Sequence, residues 1–193
     1  MGQQLDVMSS SAQEKGSCKL EDFSMQRYTQ IVRYKTSYYS FYLPVQLGMV
    51  LAGVKDPELF RQARTILLAM GHLFQVQDDY LDCFGDTNVT GKVGTDIQDG
   101  KCSWMVVVAL QRANAGQKDI LKACYGSKDP EDVAKVKAVY EELNLKSIYS
   151  KYEEEAYNDI VHQISHLSGG AEKRALNHDI FHSLLSRIYK RDA

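Results

Sequence analysis

Residues 74 to 82 read Phe74-Gln75-Val76-Gln77-Asp78-Asp79-Tyr80-Leu81-Asp82, three carboxylates at the end of an apolar run that begins near Arg64. On a helix advancing about 100° per residue, Asp78, Asp82 and Asp79 fall at about 0°, 40° and 100°, with Gln75 at about 60°. All four share one stripe, where the carboxylates repel one another unless a cation sits among them. Mg2+ suits such a stripe, because it takes one or two protein carboxylates, keeps several waters and fills its remaining positions with phosphate oxygens. A solvated acidic helix end would have the same composition. Against that, a helix C-terminus disfavours anions, which tilts the reading towards a ligand.

The following stretch, Gly85 to Lys101, is polar and glycine-rich. As a Walker A loop it has one residue too many before Gly91-Lys92, Val93 stands where Ser or Thr would ligate the metal, and no strand precedes it. As a calcium loop starting at Asp86 it has Ile97 at position twelve in place of Glu. What remains is a loop that carries Lys92 and Lys101 back past an acidic helix end. Two lysines and three aspartates about one cleft point to a metal–diphosphate site, the ion bridging carboxylate to phosphate and the ammonium groups taking the remaining charge. The pairs His162/His166 and His178/His182 have i, i+4 spacing but lack the HExxH glutamate and a third ligand at a suggestive distance.

Helices must position these groups. Asp56-Pro57-Glu58 is a helix start, with a capping Asp, Pro at the first helical position and an acid suited to the dipole. No breaker follows until Gly85, which gives a helix of about 28 residues and roughly 42 Å. Gly71 weakens it by about 1 kcal/mol, and lies on the Asp78 stripe, where it makes room for a ligand or a neighbouring helix. Upstream, residues 1–6 read as helix and Ser9 to Cys18 as loop. Leu20–Tyr34 has helical spacing, Lys35-Thr36-Ser37 interrupts, and Tyr38–Gly53 resumes as an aromatic-rich helix bent at Pro44. Downstream, helices are expected at Ser103–Asn114, Gln117–Cys124, Glu131–Glu142, Leu145–Leu167 and Ala171–Lys190. No stretch alternates like a strand, so the fold class is all-α.

With 193 residues, 44% hydrophobic and 25% charged, the chain suits one globular domain. A net charge of -2 offers no basic face for nucleic acid. Cys18, Cys83, Cys102 and Cys124 show no CxxC or disulfide-like spacing, which suits a reducing, cytoplasmic compartment. The N-terminus has no apolar core of a signal peptide, and the longest apolar run, Phe41 to Val54, is too short for a membrane span.

Taken together, Gln75 to Asp82, Gly91-Lys92-Val93-Gly94-Thr95-Asp96-Ile97 and Lys101-Cys102-Ser103-Trp104 closely resemble the trans-prenyltransferase family, in its animal-type farnesyl diphosphate synthase branch. Tyr34-Lys35-Thr36, Phe41-Tyr42-Leu43-Pro44, Tyr140-Glu141-Glu142-Leu143 and Ile188-Tyr189-Lys190-Arg191 extend the resemblance from Gly2 to Arg191. It implies an all-helical isoprenoid-synthase bundle and a homodimer. It also implies Mg2+-assisted ionisation of an allylic diphosphate, followed by attack of isopentenyl diphosphate. Asp78-Asp79-Tyr80-Leu81-Asp82 resembles the family's second aspartate-rich motif, so Asp78, Asp79 and Asp82 are the implied metal residues, Asp78 and Asp82 foremost. Lys35, Lys92 and Lys101 match the lysines on the allylic diphosphate, and Thr36 and Gln75 match their neighbours. Phe74 is placed near the isopentenyl unit, Gln3 and Asp6 face the site from an earlier helix, and Arg191 matches a basic C-terminal tail that closes over substrate.

The family's first aspartate-rich motif, DDxxxxD with paired arginines, is not among these residues, nor is its basic N-terminal site for isopentenyl diphosphate. The expectation is a single partial domain over residues 1–193, the C-terminal half of such an enzyme, inactive by itself. Two alternatives stand beside a truncated synthase: a non-catalytic short isoform acting as dimer partner or regulator, and a terpene synthase built on the same scaffold.

Overall fold

The computed structural model describes residues 2–10, 19–91, 93–168 and 176–191. Every regular element among them is helical, and none is long and apolar enough to cross a membrane. The order is α1 (Gly2–Ser9), a 3-10 turn (Leu20–Asp22), α2 (Met25–Val32), a π-helical segment (Arg33–Tyr42), α3 (Leu43–Leu51) and α4 (Pro57–Phe84). There follow α5 (Thr87–Thr90), α6 (Trp104–Arg112), α7 (Ala115–Cys124), α8 (Pro130–Glu142), α9 (Leu145–Ser165) and α10 (His178–Ile188).

The long central helix takes the bounds its sequence signals set. Asp56 caps it by accepting from the Glu58 N–H, Pro57 occupies the first position, and Gly85 ends it. Its most extensive packing is against the π-helical segment, and Gly71 makes that approach possible. A Cβ at Gly71 would stand 2.5 Å from the Ser37 Cα, so the glycine accommodates a neighbouring backbone. Two apolar clusters flank α4. One joins Leu59, Ile66, Leu67, Met70 and Leu73 to Ile160 and Ile164 of α9 and Phe181, Leu185 and Ile188 of α10. The other gathers Val76 and Cys83 with α2, α6, α7, α8 and the first turns of α9 around Trp104, Val107 and Tyr140.

Two expectations change. Lys35-Thr36-Ser37 does not interrupt the helix: the backbone runs from Met25 to Leu51 without a break, widening into π geometry over Arg33–Tyr42. Pro44 is the second residue of α3, at the junction where the π-helical segment passes into α geometry. The stretch 85–101 is not all loop, since Thr87–Thr90 forms one helical turn capped by Asp86 and closed by Gly91 in the left-handed region at φ 68°. Residues 11–18, assigned to a loop, and residues 171–175, assigned to the last helix, lie outside the described residues.

Candidate functional site

The C-terminal half of α4, the π-helical segment, α1 and the loop entering α6 enclose one polar cavity. Asp78, Asp79, Asp96, Lys35, Lys101 and Asp6 contribute its charge, and Tyr28, Thr36 and Gln75 share its lining. The widened π turn carries Lys35 and Thr36; such geometry is uncommon and recurs at functional sites. The Thr36 hydroxyl donates to the Gln75 Oε1 at 2.7 Å, which ties this segment to α4 one turn before the aspartates. The Gln75 amide in turn donates to Asp79 Oδ1 at 2.9 Å and to Asp78 Oδ2 at 3.2 Å.

The three aspartates of the motif sit in different surroundings. Asp79 is buried, and its Oδ2 accepts the backbone N–H of Trp104 at 2.7 Å. It therefore lies at the N-terminus of α6, the helix end that favours an anion, which answers the mismatch with its own helix. Asp82 accepts from the backbone N–H groups of Thr95 and Asp96, each at 3.0 Å, folding the loop back onto α4. A Cβ on Gly94 would strike the Asp82 carbonyl, so this return needs glycine. Lys137 supplies the cation at the α4 terminus, donating from Nζ to the Cys83 carbonyl at 3.0 Å. Asp78 is half-exposed toward the cavity, with Arg191 Nη2 3.8 Å from its Oδ1.

The charge balance of the cavity shows in its acids. Burial raises the pKa of Asp79 despite the donors from Trp104 and Gln75. Asp96 is also raised, by burial and then by Asp79, Asp82 and Asp78, with Lys101 opposing. In both groups burial is the first cause, and the neighbouring carboxylates add to it. No three metal-ligating side chains converge on one point among the described residues. The donors are all oxygen, however, and a magnesium ion that takes one or two carboxylates and completes its shell with water and phosphate fits such a set.

The structure brings together most of the residues singled out from sequence. Lys35, Thr36, Gln75, Asp78, Asp79 and Lys101 line one cavity. Arg191 lies against Phe74, with its guanidinium 3.9 Å from the ring centroid and Nη2 donating to the Phe74 carbonyl at 3.4 Å. Phe74 also packs on Phe41, centroids 5.4 Å apart, which makes an apolar wall beside the aspartates. Asp82 faces the 94–96 turn, and Lys92 lies outside the described residues. Asp96 was not among the sequence candidates. Its signal was present, a further aspartate five residues before Lys101 in the loop that Asp82 holds.

The polyprenyl synthetase family model matches residues 1–143. Farnesyl pyrophosphate synthase of Nezara viridula is 50% identical over 190 residues, which is 98% of this chain and 44% of that protein. The farnesyl pyrophosphate synthase of Rattus norvegicus is 50% identical over 191 residues, 99% of this chain and 52% of the relative. Among solved structures, T. brucei farnesyl diphosphate synthase complexed with the bisphosphonate BPH-722 superposes with a TM-score of 0.87 at 35% identity, covering 100% of this chain and 55% of that one. The chain thus spans about half the length of the relatives it matches, as the resemblance led us to expect. The all-α fold is that of the isoprenoid synthases, and with the family model running through both the aspartate motif and the lysine-bearing loop, the chain belongs to the polyprenyl synthetase family.

Proposed function

We propose that this chain provides the allylic-diphosphate side of a farnesyl diphosphate synthase-type site, which condenses isopentenyl diphosphate with dimethylallyl or geranyl diphosphate. The observation that carries the reading is the cavity in which Lys35 and Lys101 stand with Asp78, Asp79 and Asp96. Asp78, half-exposed toward that cavity, is the proposed direct metal contact. Asp79 and Asp82 add negative potential while holding α6 and the 94–96 turn in place. Magnesium, when bound, supplies the positive charge that stabilises a departing diphosphate.

The remaining work falls to the chain's own side chains. Lys35 and Lys101, with Lys92, neutralise diphosphate oxygens, which is electrostatic stabilisation where charge develops. Thr36 and Gln75 fix the wall between the lysines and Asp78. Phe74 and Phe41 keep water from the reacting carbon, and Arg191, at the far end of the chain, lies over Phe74 as a basic closure. The proposal includes the homodimer and cytoplasmic location that the family resemblance implies for the full-length form. It does not include turnover by these 193 residues alone: one carboxylate cluster does not orient two substrates, and positioning is worth about 7–11 kcal/mol of a bimolecular barrier.

Calorimetry with inorganic diphosphate tests the reading. Binding that requires Mg2+ and is lost in Asp78→Ala supports it, while binding indifferent to the metal overturns it. Incubation of the purified chain with isopentenyl and dimethylallyl diphosphates checks the second statement, since farnesyl diphosphate above a metal-free control would contradict it.

A further inference from the structure

Lys35 and Lys101 come from distant parts of the sequence, one on the π-helical segment and one on the loop entering α6. Their ammonium groups nonetheless meet at a single atom. Asp6 Oδ2 accepts Lys35 Nζ at 2.7 Å and Lys101 Nζ at 3.3 Å. Asp6 is itself only 4% exposed, and α1 is pressed so closely on the π-helical segment that a Cβ on Gly2 would strike the backbone at Lys35. Both lysines turn to this carboxylate although three other aspartates line the same cavity.

We propose that Asp6 is the positioning residue of the lysine pair: it holds two like charges side by side on one wall, apart from the acidic wall of α4. Two mobile ammonium groups repel one another, and long lysine stems lose much rotamer freedom when fixed. A buried carboxylate shared between them offsets the repulsion and sets that order before ligand arrives. Asp6 acts through the lysines and does not itself meet the diphosphate, which it would repel. This inference rests on the diphosphate reading above and adds to it a residue on a different helix.

The probe is inorganic diphosphate with Mg2+, titrated into the 193-residue chain and its variants. Asp6→Asn is expected to weaken binding by about tenfold, the scale of a lost charge-assisted hydrogen bond, and Asp6→Glu, which keeps the charge, to recover most of it. In a Lys35→Gln/Lys101→Gln background, Asp6→Asn is expected to have no further effect, which a general structural role would not reproduce. Should Asp6→Asn fail to fold, the smaller neutral variant Asp6→Ser carries the same expectations. Equal or tighter binding by the neutral variants overturns the proposal, as does the same fractional loss with and without the lysines. Absence of binding by the unsubstituted chain overturns the diphosphate reading and this inference together, whereas binding unaffected at Asp6 overturns this inference alone.

Discussion

The N-terminal half of α4, from Pro57 to Leu73, meets its neighbours chiefly through apolar side chains; the half from Phe74 to Phe84 adds to its apolar contacts a set of directed side-chain hydrogen bonds. In the first half Leu59, Ala63, Ile66, Leu67, Met70 and Leu73 are buried against α9 and α10. In the second, Gln75, Gln77, Asp79 and Asp82 reach four separate partners: Thr36, Glu153, the α6 N-terminus and the 94–96 turn. Glu153, itself buried, is shared between Gln77 at 2.8 Å and the Tyr149 hydroxyl at 2.7 Å. Apolar contacts are non-directional and tolerate changes that keep volume. Hydrogen bonds are directional, and a buried polar group left without one costs about 1–3 kcal/mol. One helix therefore combines a half that supplies stability with a half that fixes geometry.

Substitutions in the two halves should separate these contributions. The largest effect is expected from Asp78→Ala in a full-length enzyme carrying this sequence. Turnover should fall by orders of magnitude, while the melting temperature without Mg2+ stays within a few degrees, because a half-exposed carboxylate is removed from a crowd of like charges. A large drop in melting temperature would assign Asp78 to the scaffold instead. Leu67→Ala is the opposite case. The side chain is fully buried, so about 2–5 kcal/mol of stability should be lost, with Mg2+-diphosphate affinity retained in the fraction that folds. Gly71→Ala comes next, at a net loss of about 1–3 kcal/mol. The gain in helix propensity is outweighed by a methyl driven against the Ser37 backbone. Urea denaturation of the two variants checks both figures, and a stabilised Gly71→Ala would show that the helix pair separates freely.

Charge gives a subtler contrast, because the polar half is the one that responds to pH. Asp79 and Asp96 have raised pKa values in the folded chain, so the folded state binds their protons more tightly than the unfolded state does. Their contribution to stability is full below the ordinary carboxylate pKa near 4, and is lost as pH rises towards neutrality. Asp96→Asn removes part of this loss, so its stability relative to the unsubstituted chain should improve between pH 5 and pH 8. A difference that stays constant with pH would mean that Asp96 is charged in the fold throughout. Mg2+ at pH 8 should stabilise the unsubstituted chain more than Asp78→Ala.

The same division explains how much was legible in the sequence. The apolar half of α4 follows from its period and from Asp56-Pro57 and Gly85, and its observed bounds are those the signals set. The aspartate stripe was legible as a cluster, but the environment of each carboxylate was not, since Trp104 and Thr95 lie far along the chain and donate through backbone N–H groups that carry no residue-type signal. The π-helical segment was read as an interruption at Lys35-Thr36-Ser37 because a change in hydrogen-bond offset leaves the composition unaltered while it rotates the faces. Gln75 follows from the helix stripe and Lys101 from the loop that returns past it, whereas Lys35 and Thr36 were found through motif resemblance; the helix crossing at Gly71 and the loop held by Asp82 bring all four together.

The smallest effect on stability, and the last test of the contrast, lies on α3, which continues the aromatic segment past the site. Leu43, Leu47, Val50 and Leu51 are exposed along it, Leu51 at 89%. Beside them Met49, Val54, Leu59 and Ile180 line a cavity of about 440 Å3 between α3, α4 and α10. Soluble monomers seldom expose so continuous an apolar stripe. Because these side chains bury little against the rest of the chain, replacing one with a polar residue should change unfolding free energy by less than about 0.5 kcal/mol. Leu47→Gln with Leu51→Gln should therefore leave the urea midpoint almost unmoved, yet lower the binding of a dye specific for apolar surface and slow aggregation. An unchanged dye signal would place the accessible apolar surface elsewhere. A shifted midpoint would show that α3 belongs to the stabilising core that the N-terminal half of α4 builds.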